Sequence, residues 1–575
     1  MKTLNSGIFK LVALLPIILY IFMNRAFAQN YQWAVKIGSA INIYERTETI
    51  SSNSTGLVFA GGEFSGTVDF DPGAGVFNST PVGSCDGYIS IYDPNGNLLS
   101  MIQIGSSGLD FISGITTTQT GEFYATGTIA GTADFDPTPG IYSLTPQSSQ
   151  SMFLAKYDAL FQLQWAFLIG DASGFCNSQS ISLDNNGDVL LTGQFSGTTD
   201  FDPGTGTFNL TPNGNGDAFL AKYSSAGNYL WAFKLASLDN DMGFSVTTDA
   251  ASNVLVCGLF SGNADFDPGI PVITLSASTG DCDLFVAKYN SSGNYLWAFD
   301  IGTAFAFERA TGIASDNSGN VYVTGNFGGT TDFDPSAAVN NLSSSGGQDI
   351  FIAKYDPNGN YLFAFPIGGA ANSDESEAIN VNSSGSIFVT GKFSGTADLD
   401  PGNGIANLTS LGNQDGFLSA YDQSGNYLWA FKFGSTGQDG GYSVCSNPSG
   451  DIFLAGGFQQ TVDFDPGITT VNLTSAGNED GFLAKYSTAI LSIENTLITD
   501  NRLSVFPNPF SEMITIISGM MESEIIITDV TGAVIAEIKP NSGVTCIPTN
   551  FLSPGTYFVR QSSRDEIVTK IIVKR

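Results

Sequence analysis

The stretch Asp69-Phe70-Asp71-Pro72 decides the fold, because it returns along the chain at an almost constant spacing. Successive copies start about 66 residues apart, which indicates one supersecondary unit copied along the chain. The copies begin at Asp69, Asp134, Asp200, Asp265, Asp332, Asp398 and Asp463, and Leu399 replaces the phenylalanine in the sixth.

Each repeat contains four short runs of apolar and β-branched residues, which we name A, B, C and D in chain order. In the fifth copy these runs lie at 311–315, 320–325, 349–355 and 360–365. Turns of the form Asp-x-x-Gly separate them, and such turns are typical of tight hairpins between antiparallel strands. No helical period appears along the repeats. The sequence therefore predicts an all-β fold, a seven-bladed β-propeller.

The two ends of the repeat region complement each other. The chain enters with a D-type run at 31–37 and leaves after a C-type run at 481–486. Pairing the first run with the last A, B and C runs completes the seventh blade and covers a sheet edge that is otherwise open. We therefore predict a propeller over 29–486 that the N-terminal strand closes.

Composition limits the function. The 575 residues carry a net charge of -33, which repels nucleic acid and anionic lipid and favours cations or basic partners. The chain contains no histidine, so it lacks the usual general base at neutral pH and the commonest metal ligand. We expect no nucleic-acid partner and no Ser-His-Asp, Cys-His or His-metal chemistry.

The N-terminal segment has the features of a secretory signal peptide. Lys2 and Lys10 precede an apolar run at 11–22, and Ala26-Phe27-Ala28 supplies small residues two apart before Gln29. We assign 1–28 to this peptide, because the run is too short for a comfortable membrane span. No later stretch is long and apolar enough to cross a bilayer, so we predict an exported protein. We also expect the protein to be a monomer.

One acidic position recurs 24 residues before each Asp-Phe-Asp-Pro segment, where strand D crosses to the next strand A. Cys176 replaces the acid in the third repeat. Strand A lines the central channel of a propeller, and the B-to-C segments emerge on the same face as these crossings. Because binding sites concentrate on long loops, we predict a binding site at an acidic channel mouth. Its candidate residues are Glu45, Asp110, Asp241, Glu308, Asp374 and Asp439.

The paired aspartates of the B-to-C segments are candidate calcium ligands. Carboxylates two residues apart, followed by a glycine-bearing turn, can place oxygens around a hard cation. The segments lack the twelve-residue pattern of an EF-hand, and turn chemistry alone also explains them. The pairs are Asp69 and Asp71, Asp134 and Asp136, Asp200 and Asp202, Asp265 and Asp267, Asp332 and Asp334, Asp398 and Asp400, and Asp463 and Asp465.

Tryptophan and cysteine are interpreted as core residues. All five tryptophans occupy one position of strand D, which indicates packing between blades. The six cysteines show no CxxC spacing, so buried free thiols are expected, although Cys257 and Cys282 could form a bridge between neighbouring strands. The tryptophans are Trp33, Trp165, Trp231, Trp297 and Trp429.

After residue 486 the period stops. We interpret 487–501 as a linker and 502–575 as a small β-sandwich, because short apolar runs alternate there with Gly and Pro turns. This module resembles the C-terminal sorting domain of type IX secretion substrates. The matching segments are Phe506-Pro-Asn-Pro509, Asp529-Val-Thr-Gly532, Leu552-Ser-Pro-Gly-Thr-Tyr557 and the Lys-Ile-Ile-Val-Lys ending. The resemblance implies recognition by the outer-membrane secretion machinery of a Bacteroidota-type bacterium, and release or attachment at the cell surface.

The repeats resemble a bacterial seven-bladed propeller repeat family. The resemblance rests on Asp-x-x-Gly-Asn followed by Val-Tyr-Val-Thr-Gly, and on Phe-Leu-Ala-Lys-Tyr-Asp-x-x-Gly-Asn. It implies a fold and no single reaction, since propellers host many functions.

Three functions remain open at this point. The first is a non-catalytic secreted or surface-displayed module for binding or adhesion, with an unknown extracellular glycan or protein as its ligand. The second is a glycan hydrolase or lyase, because glycosidic chemistry needs two acids and no histidine. The third is a calcium-stiffened structural protein of the envelope or matrix. The residues that break the repeat symmetry near the channel mouth are Glu45, Arg46, Glu48, Glu308, Arg309, Asp374, Glu375 and Glu377.

Overall fold

The computed structural model describes residues 27–40, 45–170, 174–270, 272–278, 282–370 and 373–490, and eight short segments of the tail between 503 and 574. The predicted signal peptide lies outside the described residues except for 27 and 28, and so does most of the predicted linker. The described residues belong to two compact units, Phe27–Ala489 and a tail unit that begins at Ile490.

Between Phe27 and Ile490 the chain forms seven four-stranded antiparallel sheets, each with the order A, B, C, D. The first three consist of β2 (Arg46–Ser52), β3 (Val58–Phe64), β6 (Asp86–Tyr92) and β7 (Leu98–Ile104); β8 (Phe111–Thr117), β9 (Phe123–Ile129), β12 (Ser151–Tyr157) and β13 (Leu163–Ile169); and β14 (Cys176–Leu183), β15 (Val189–Phe195), β18 (Asp217–Tyr223) and β19 (Tyr229–Leu235).

The remaining four sheets repeat this arrangement. They consist of β20 (Met242–Thr248), β21 (Val254–Phe260), β24 (Asp283–Tyr289) and β25 (Tyr295–Ile301); β26 (Arg309–Ser315), β27 (Val321–Asp332), β28 (Asn341–Tyr355) and β29 (Tyr361–Ile367); β30 (Glu375–Val381), β31 (Ile387–Phe393), β34 (Asp415–Tyr421) and β35 (Tyr427–Phe433); and β36 (Gly440–Ser446), β37 (Asp451–Phe458), β40 (Asp480–Ile490) and β1 (Phe27–Ile37).

Each B-to-C segment forms a two-stranded ribbon, which we call an arm. In the fifth sheet the arm is continuous with β27 and β28. The other arms are β4 (Val68–Asp69) with β5 (Asn78–Ser79), β10 (Ala133–Asp134) with β11 (Ser143–Leu144), β16 (Thr199–Asp200) with β17 (Asn209–Leu210), β22 (Asn263–Asp265) with β23 (Thr274–Ser276), β32 (Thr396–Asp398) with β33 (Asn407–Thr409), and β38 (Thr461–Asp463) with β39 (Asn472–Thr474).

The turn chemistry read from the sequence forms the hairpins. In the first C-to-D turn, the Asp93 carboxylate accepts hydrogen bonds from the backbone N–H groups of Asn95 and Asn97, at 2.8 and 3.0 Å. Gly96 has a φ of 84°, a left-handed conformation that glycine adopts without strain. The Asp-x-x-Gly spacing therefore fixes the hairpins that build each sheet.

The ring is closed as the sequence predicts. β1 pairs with β40 and completes the seventh sheet. The A strands contact one another in ring order, and β36 contacts β2. At this junction the Ser443 hydroxyl accepts a hydrogen bond from the backbone N–H of Ile50 at 3.3 Å, as Thr49 does from Ile115 at 3.1 Å one blade later. The predicted all-β propeller with N-terminal closure is confirmed.

Both boundary strands extend beyond the predicted propeller limits of 29 and 486. β1 begins at Phe27, and β40 continues to Ile490, with Ser487 paired to Asp451. The first residues of the predicted linker are therefore strand residues.

The tryptophans lie between blades. A side chain at Gly293 would come within 3.1 Å of the Trp231 ring, so the glycine of one C-to-D turn allows the tryptophan of the preceding blade to pack against it. The Trp231 indole donates to the Ser291 carbonyl oxygen at 3.3 Å in the same turn. Cys257 and Cys282 form no disulfide bridge, and neither do Cys85, Cys176 and Cys445.

The tail unit contains two sheets with a shared apolar core. One sheet has the order β41 (Leu503–Phe506), β42 (Met513–Ser518), β45 (Val544–Pro548), and the other has the order β44 (Val534–Ile538), β43 (Glu524–Asp529), β46 (Gly555–Ser562), β47 (Ile567–Lys574). Ile514 and Ile547 of the first sheet pack with Ile525, Val559 and Ile572 of the second. This packing is that of the predicted β-sandwich.

Every regular element in the described part of the chain is a strand. Accordingly, that part contains no helix of the length and hydrophobicity needed to span a bilayer.

Candidate functional site

The recurring acids predicted at the channel mouth are buried inside the blade junctions. The six acids and Cys176 are each no more than 2% exposed. Asp241 is representative, because its carboxylate accepts hydrogen bonds from the Ser237 backbone at 2.5 Å, the Ser237 hydroxyl at 2.9 Å and the Ser261 backbone at 3.1 Å. These donors belong to the D-to-A crossing and to the segment that follows strand B.

The other acids make the same kind of contact. Asp110 accepts from the backbone of Ala130 at 2.7 Å, and Asp439 from that of Gln459 at 2.8 Å. Asp374 accepts from the backbones of Gly369 and Ser394, both at 2.9 Å. The structure thus corrects the predicted placement, because these carboxylates hold two loops of their own blade together and face away from solvent.

Burial raises the pKa of four of these acids. It raises the pKa of Asp374 to about 7 and those of Asp241 and Asp439 to about 6, although the backbone hydrogen bonds oppose the increase. It also raises the pKa of Asp110. Glu45 lies in a similar position and accepts from Ser39 and from the backbone of Gly66 at 3.1 Å.

The paired aspartates of the arms cap their own turns. The first aspartate of each arm accepts two backbone hydrogen bonds, as Asp200 does from Asp202 at 3.0 Å and from Phe208 at 2.7 Å. The second accepts one, as Asp202 does from Gly204 at 2.8 Å. Among the described residues no cluster of three or more Cys, Asp or Glu side chains is suited to a metal ion. The arms supply two carboxylates each, and calcium binding stays a prediction.

Every A strand contains a β-bulge three residues after the junction acid position. In β2 the pairing passes from Thr47 to Thr49, so Glu48 has no partner in β3. The same shift occurs in each of the other six A strands. We call the seven unpaired residues the bulge ring: Glu48, Ser113, Gln179, Phe244, Thr311, Glu377 and Tyr442.

The bulge ring lines the central channel. All seven of its side chains border one cavity of about 350 Å³, together with Glu63, Phe111 and Arg309. Bulges commonly redirect a side chain at functional sites. The chain here presents seven equivalent positions with six different residue types.

One sector of the channel, formed by the first and last blades, carries a charged network. Glu479 precedes β40 and pairs with Arg46, with Nε–Oε1 at 2.9 Å and Nη2–Oε2 at 3.2 Å. The Tyr442 hydroxyl donates to Glu479 at 2.8 Å, and the Arg46 guanidinium lies 5.4 Å from the Tyr442 ring centroid. A side chain at Gly457 would collide with the Glu479 carboxylate, so this glycine makes room for it.

A second charged network comes from the fifth and sixth blades. Glu375 lies 3.1 Å from Arg309 Nη2 and 3.3 Å from Lys392 Nζ. The same lysine lies 3.6 Å from Glu377 of the bulge ring. Arg309 and Lys392 are thus the two cationic partners of Glu375 and Glu377 in the channel wall.

Glu48 and Glu63 differ from the other channel carboxylates. Neither makes a hydrogen bond or ion pair with any residue in the described ranges, although both lie close to Arg46. The loss of bulk water in the narrow channel and repulsion from Glu63 raise the pKa of Glu48 to about 7, against the attraction of Arg46. At neutral pH Glu48 is therefore poised between its acid and its base form.

The opposite side of the channel is neutral. Ser113, Gln179 and Phe244 occupy the bulge ring in the second, third and fourth blades, and Phe111 lies beside them. The channel therefore offers carboxylates and cations on one side, and an aromatic, amide and hydroxyl surface on the other.

Sequence reasoning identified part of this site. Arg46, Glu48, Arg309, Glu375 and Glu377 stand out in the sequence as departures from the repeat. Other residues of the site were missed. Glu63 and Lys392 lie in strand B and Glu479 lies before strand C. Tyr442, Ser113, Gln179 and Phe244 are uncharged residues of the bulge ring. The sequence signal that could have identified the bulge ring is the repeat position three residues after the recurring acid, where the residue type varies from copy to copy.

Comparison with known proteins identifies the tail. Residues 504–574 match the family described as "Secretion system C-terminal sorting domain". This domain indicates export by the type IX secretion system to the cell surface or beyond, and interaction with that secretion machinery.

The repeat region has distant relatives. The chain is 26% identical over 539 residues to an uncharacterized WD repeat-containing protein of Acanthamoeba polyphaga mimivirus, covering 80% of this chain and 38% of that one. It is 27% identical over 303 residues to the regulatory protein FlaEY of Caulobacter vibrioides, covering 50% of this chain and 30% of that one. The chain thus spans only about a third of either relative.

Solved structures that match the chain include Sqt1 from Chaetomium thermophilum, at 9% identity and a TM-score of 0.36, covering 75% of this chain and 97% of that one. They also include PorZ, a surface component of the type IX secretion system of Porphyromonas gingivalis, at 12% identity and a TM-score of 0.16, covering 94% and 100% of the two chains. The sheet topology and the matched tail together identify the chain as a β-propeller repeat protein that ends in a type IX sorting domain.

Proposed function

We propose that this exported protein is a non-catalytic binding protein of the cell surface or the surrounding medium, and that it holds its ligand in the central channel. One observation carries this proposal: the seven copies differ in chemistry at the bulge ring, which is the position that faces the channel. A residue that only maintained the blade would be the same in each copy, as the junction acids nearly are.

The channel suits an amphipathic ligand. Glu48 and Glu63 supply acceptor oxygens without partners among the described residues, while Phe111 and Phe244 supply apolar surface on the neutral side. A ligand with a donor group at one end and an apolar face at the other satisfies both sides. Buried polar groups that gain hydrogen bonds in this way give specificity more than raw affinity.

Binding without turnover is favoured because most channel charges already have partners. Glu375 and Glu377 contact Lys392, and Glu479 contacts Arg46. Ion pairs of this kind hold side chains in fixed positions, which favours recognition.

The test is a screen of the mature chain on glycan and peptide arrays, followed by titration of the best hit. Glu48→Gln keeps the size of the side chain and removes its charge, so we expect it to weaken binding about tenfold. Glu122→Gln, at a partly exposed pair with Lys156 that does not line the channel, is the matched control and should leave affinity unchanged. Equal affinity of both variants and the wild type would place the ligand elsewhere.

A glycan hydrolase or lyase is the second candidate function. The pKa of about 7 at Glu48 favours it, because a general acid or base works best near the operating pH. Incubation with a polysaccharide panel should then release new chain ends, which chromatography detects, and Glu48→Gln with Glu377→Gln should abolish the release. Ligand recovered intact would instead support binding.

We also propose that the segment 502–575 is what the secretion machinery recognises. Deleting it should retain the propeller in the periplasm, as fractionation and immunoblotting would show. Secretion of the truncated chain at the normal level would contradict this assignment.

A further inference from the structure

A groove of about 830 Å³ lies beside the outermost strand of the third sheet, where the arm and the C-to-D turn of the fourth sheet approach it. Trp231 and Phe233 of β19 form its apolar surface, with ring centroids 5.3 Å apart and planes 16° apart. Phe208, 38% exposed, adds a third ring from the arm of the third sheet. The groove is separate from the channel, because its residues come from the D strands and arms.

Polar groups surround this aromatic surface. Asp267 lines the groove, and its Oδ1 accepts from Gly269 at 2.8 Å, while its Oδ2 has no hydrogen-bond partner in the described part of the chain. The exposed side chain of Asn294 and the Tyr295 ring border the same space. The groove therefore combines stacked rings with acceptor and donor groups at its edge.

The same groove recurs between the fifth and sixth sheets. There a cavity of about 350 Å³ is bordered by Phe365, Asp400, Asn426 and Tyr427. These residues occupy the repeat positions of Phe233, Asp267, Asn294 and Tyr295. The recurrence shows that the repeat itself builds the groove.

The junction of the first and second sheets lacks this surface. Ser100 and Ile102 replace the two rings of strand D, and Phe161 replaces the turn glycine at a φ of 64°. Phe161 packs against Phe59 and Phe123, with centroids 6.5 and 6.4 Å away. This junction provides an internal control, because Gln162 holds the same turn position as Asn294 but borders no aromatic pair.

We propose that the grooves beside β19 and β29 bind sugar units of a neutral polysaccharide. A pyranose ring has an apolar face that packs on aromatic side chains and a rim of hydroxyls that hydrogen-bond to carboxylate and amide groups. Two copies of one groove on a rigid ring suit a ligand that itself repeats, because both sites can then engage one chain. The net charge of -33 and the aspartate in each groove disfavour polyanions.

The experiment is native gel electrophoresis of the mature protein through gels that contain laminarin, mannan or galactan, with alginate as the acidic comparison. We expect at least one neutral polysaccharide to retard migration and alginate to have no effect. Asn294→Trp and Asn426→Trp each fill one groove and should weaken retardation about threefold, and the double variant more than tenfold, because the two sites act together.

Gln162→Trp is the matched control and should migrate as the wild type does. Asp267→Asn with Asp400→Asn gives a second, isosteric test should a tryptophan variant fail to fold, which its melting temperature reveals. Absence of retardation in all three neutral gels, or an equal loss in Gln162→Trp, overturns the proposal. Loss of retardation in Glu48→Gln while both single tryptophan variants migrate as the wild type would place the polysaccharide in the channel and overturn the proposal, so the groove and the channel are distinguished. Peptide-array binding that Asn294→Trp removes, without polysaccharide binding, would also overturn it.

Discussion

Every blade contains two positions, three residues apart, that differ in burial and in how much the residue varies between copies. The first is the junction acid, nearly the same in all copies and buried among backbone N–H groups. The second is the bulge ring, different in most copies and facing the channel. The comparison teaches that in this chain a repeated residue maintains the blade, whereas a departure from the repeat marks the surface available to a ligand.

The physical reason lies in what each side chain can contact. A junction acid satisfies donors of two loops that every blade must bring together, so replacing it leaves buried N–H groups unpaired. A bulge residue points into a cavity and pairs with no neighbouring strand. Selection for folding therefore restricts the first position and leaves the second open to ligand chemistry.

A calcium site in the arms would contradict this comparison most strongly. The arm aspartates are repeated in every copy, and they would then bind a ligand as well as maintain the blade. The calcium hypothesis predicts that EDTA lowers the melting temperature by several degrees, since an ion that binds only the folded state stabilises it. Differential scanning calorimetry with and without excess calcium measures the shift. An unchanged melting temperature in EDTA rejects calcium, and Asp202→Asn then serves to show that the arm carboxylates act only as turn caps.

Removing a junction acid should cost more stability than any change in the channel. Asp241→Ala leaves the N–H groups of Ser237 and Ser261 without their acceptor, so we expect a loss of about 2 to 3 kcal/mol in the free energy of unfolding. Urea denaturation followed by tryptophan fluorescence measures it. Asp239 is an exposed residue of the same loop. Asp239→Ala should lower the free energy of unfolding by less than about 0.5 kcal/mol, as is usual for substitutions at the surface. Equal losses in both variants would refute the structural role of the junction acid.

The sequence predicts the repeated positions of the blades better than the positions that vary between copies. The period and the Asp-x-x-Gly turns predicted the propeller and its closure, because fold information is local and repeated. The predicted binding acids were misplaced, because the pattern does not reveal that Glu45 is buried while Glu48, three residues later, sits on a bulge. Glu63 lines the channel from strand B, and Glu479 contacts Tyr442 of the bulge ring from the segment before strand C; only long-range pairing determines these positions.

Breaking the Arg46 ion pair should have an intermediate effect. Glu479→Gln removes the charge that faces Arg46 and replaces one of the two oxygens that accept from Arg46 and Tyr442 by an NH2 donor, and Glu479 is only 3% exposed. We expect a loss of about 1 to 2 kcal/mol in the free energy of unfolding. The pair of Glu122 and Lys156, whose side chains are 38% and 14% exposed, is the comparison, since ion pairs nearer to solvent contribute less, about 0 to 1 kcal/mol at the surface. A Glu479→Gln variant as stable as the wild type would mean that the channel network serves the ligand alone.

Glu48→Gln should have the smallest effect on stability at acidic pH, and its effect should grow as the pH rises. A pKa raised in the folded state means that the folded protein binds its proton more tightly than the unfolded chain, so Glu48 stabilises least above pH 7. Gln removes this disadvantage, so the variant should be closest to the wild type near pH 5, where Glu48 of the folded protein is protonated, and should melt higher than the wild type near pH 8. Thermal denaturation across this range checks the sign. A variant that melts lower than the wild type at pH 8 would show that Glu48 is held by the fold, as Asp241 is, and would remove the distinction between the two positions.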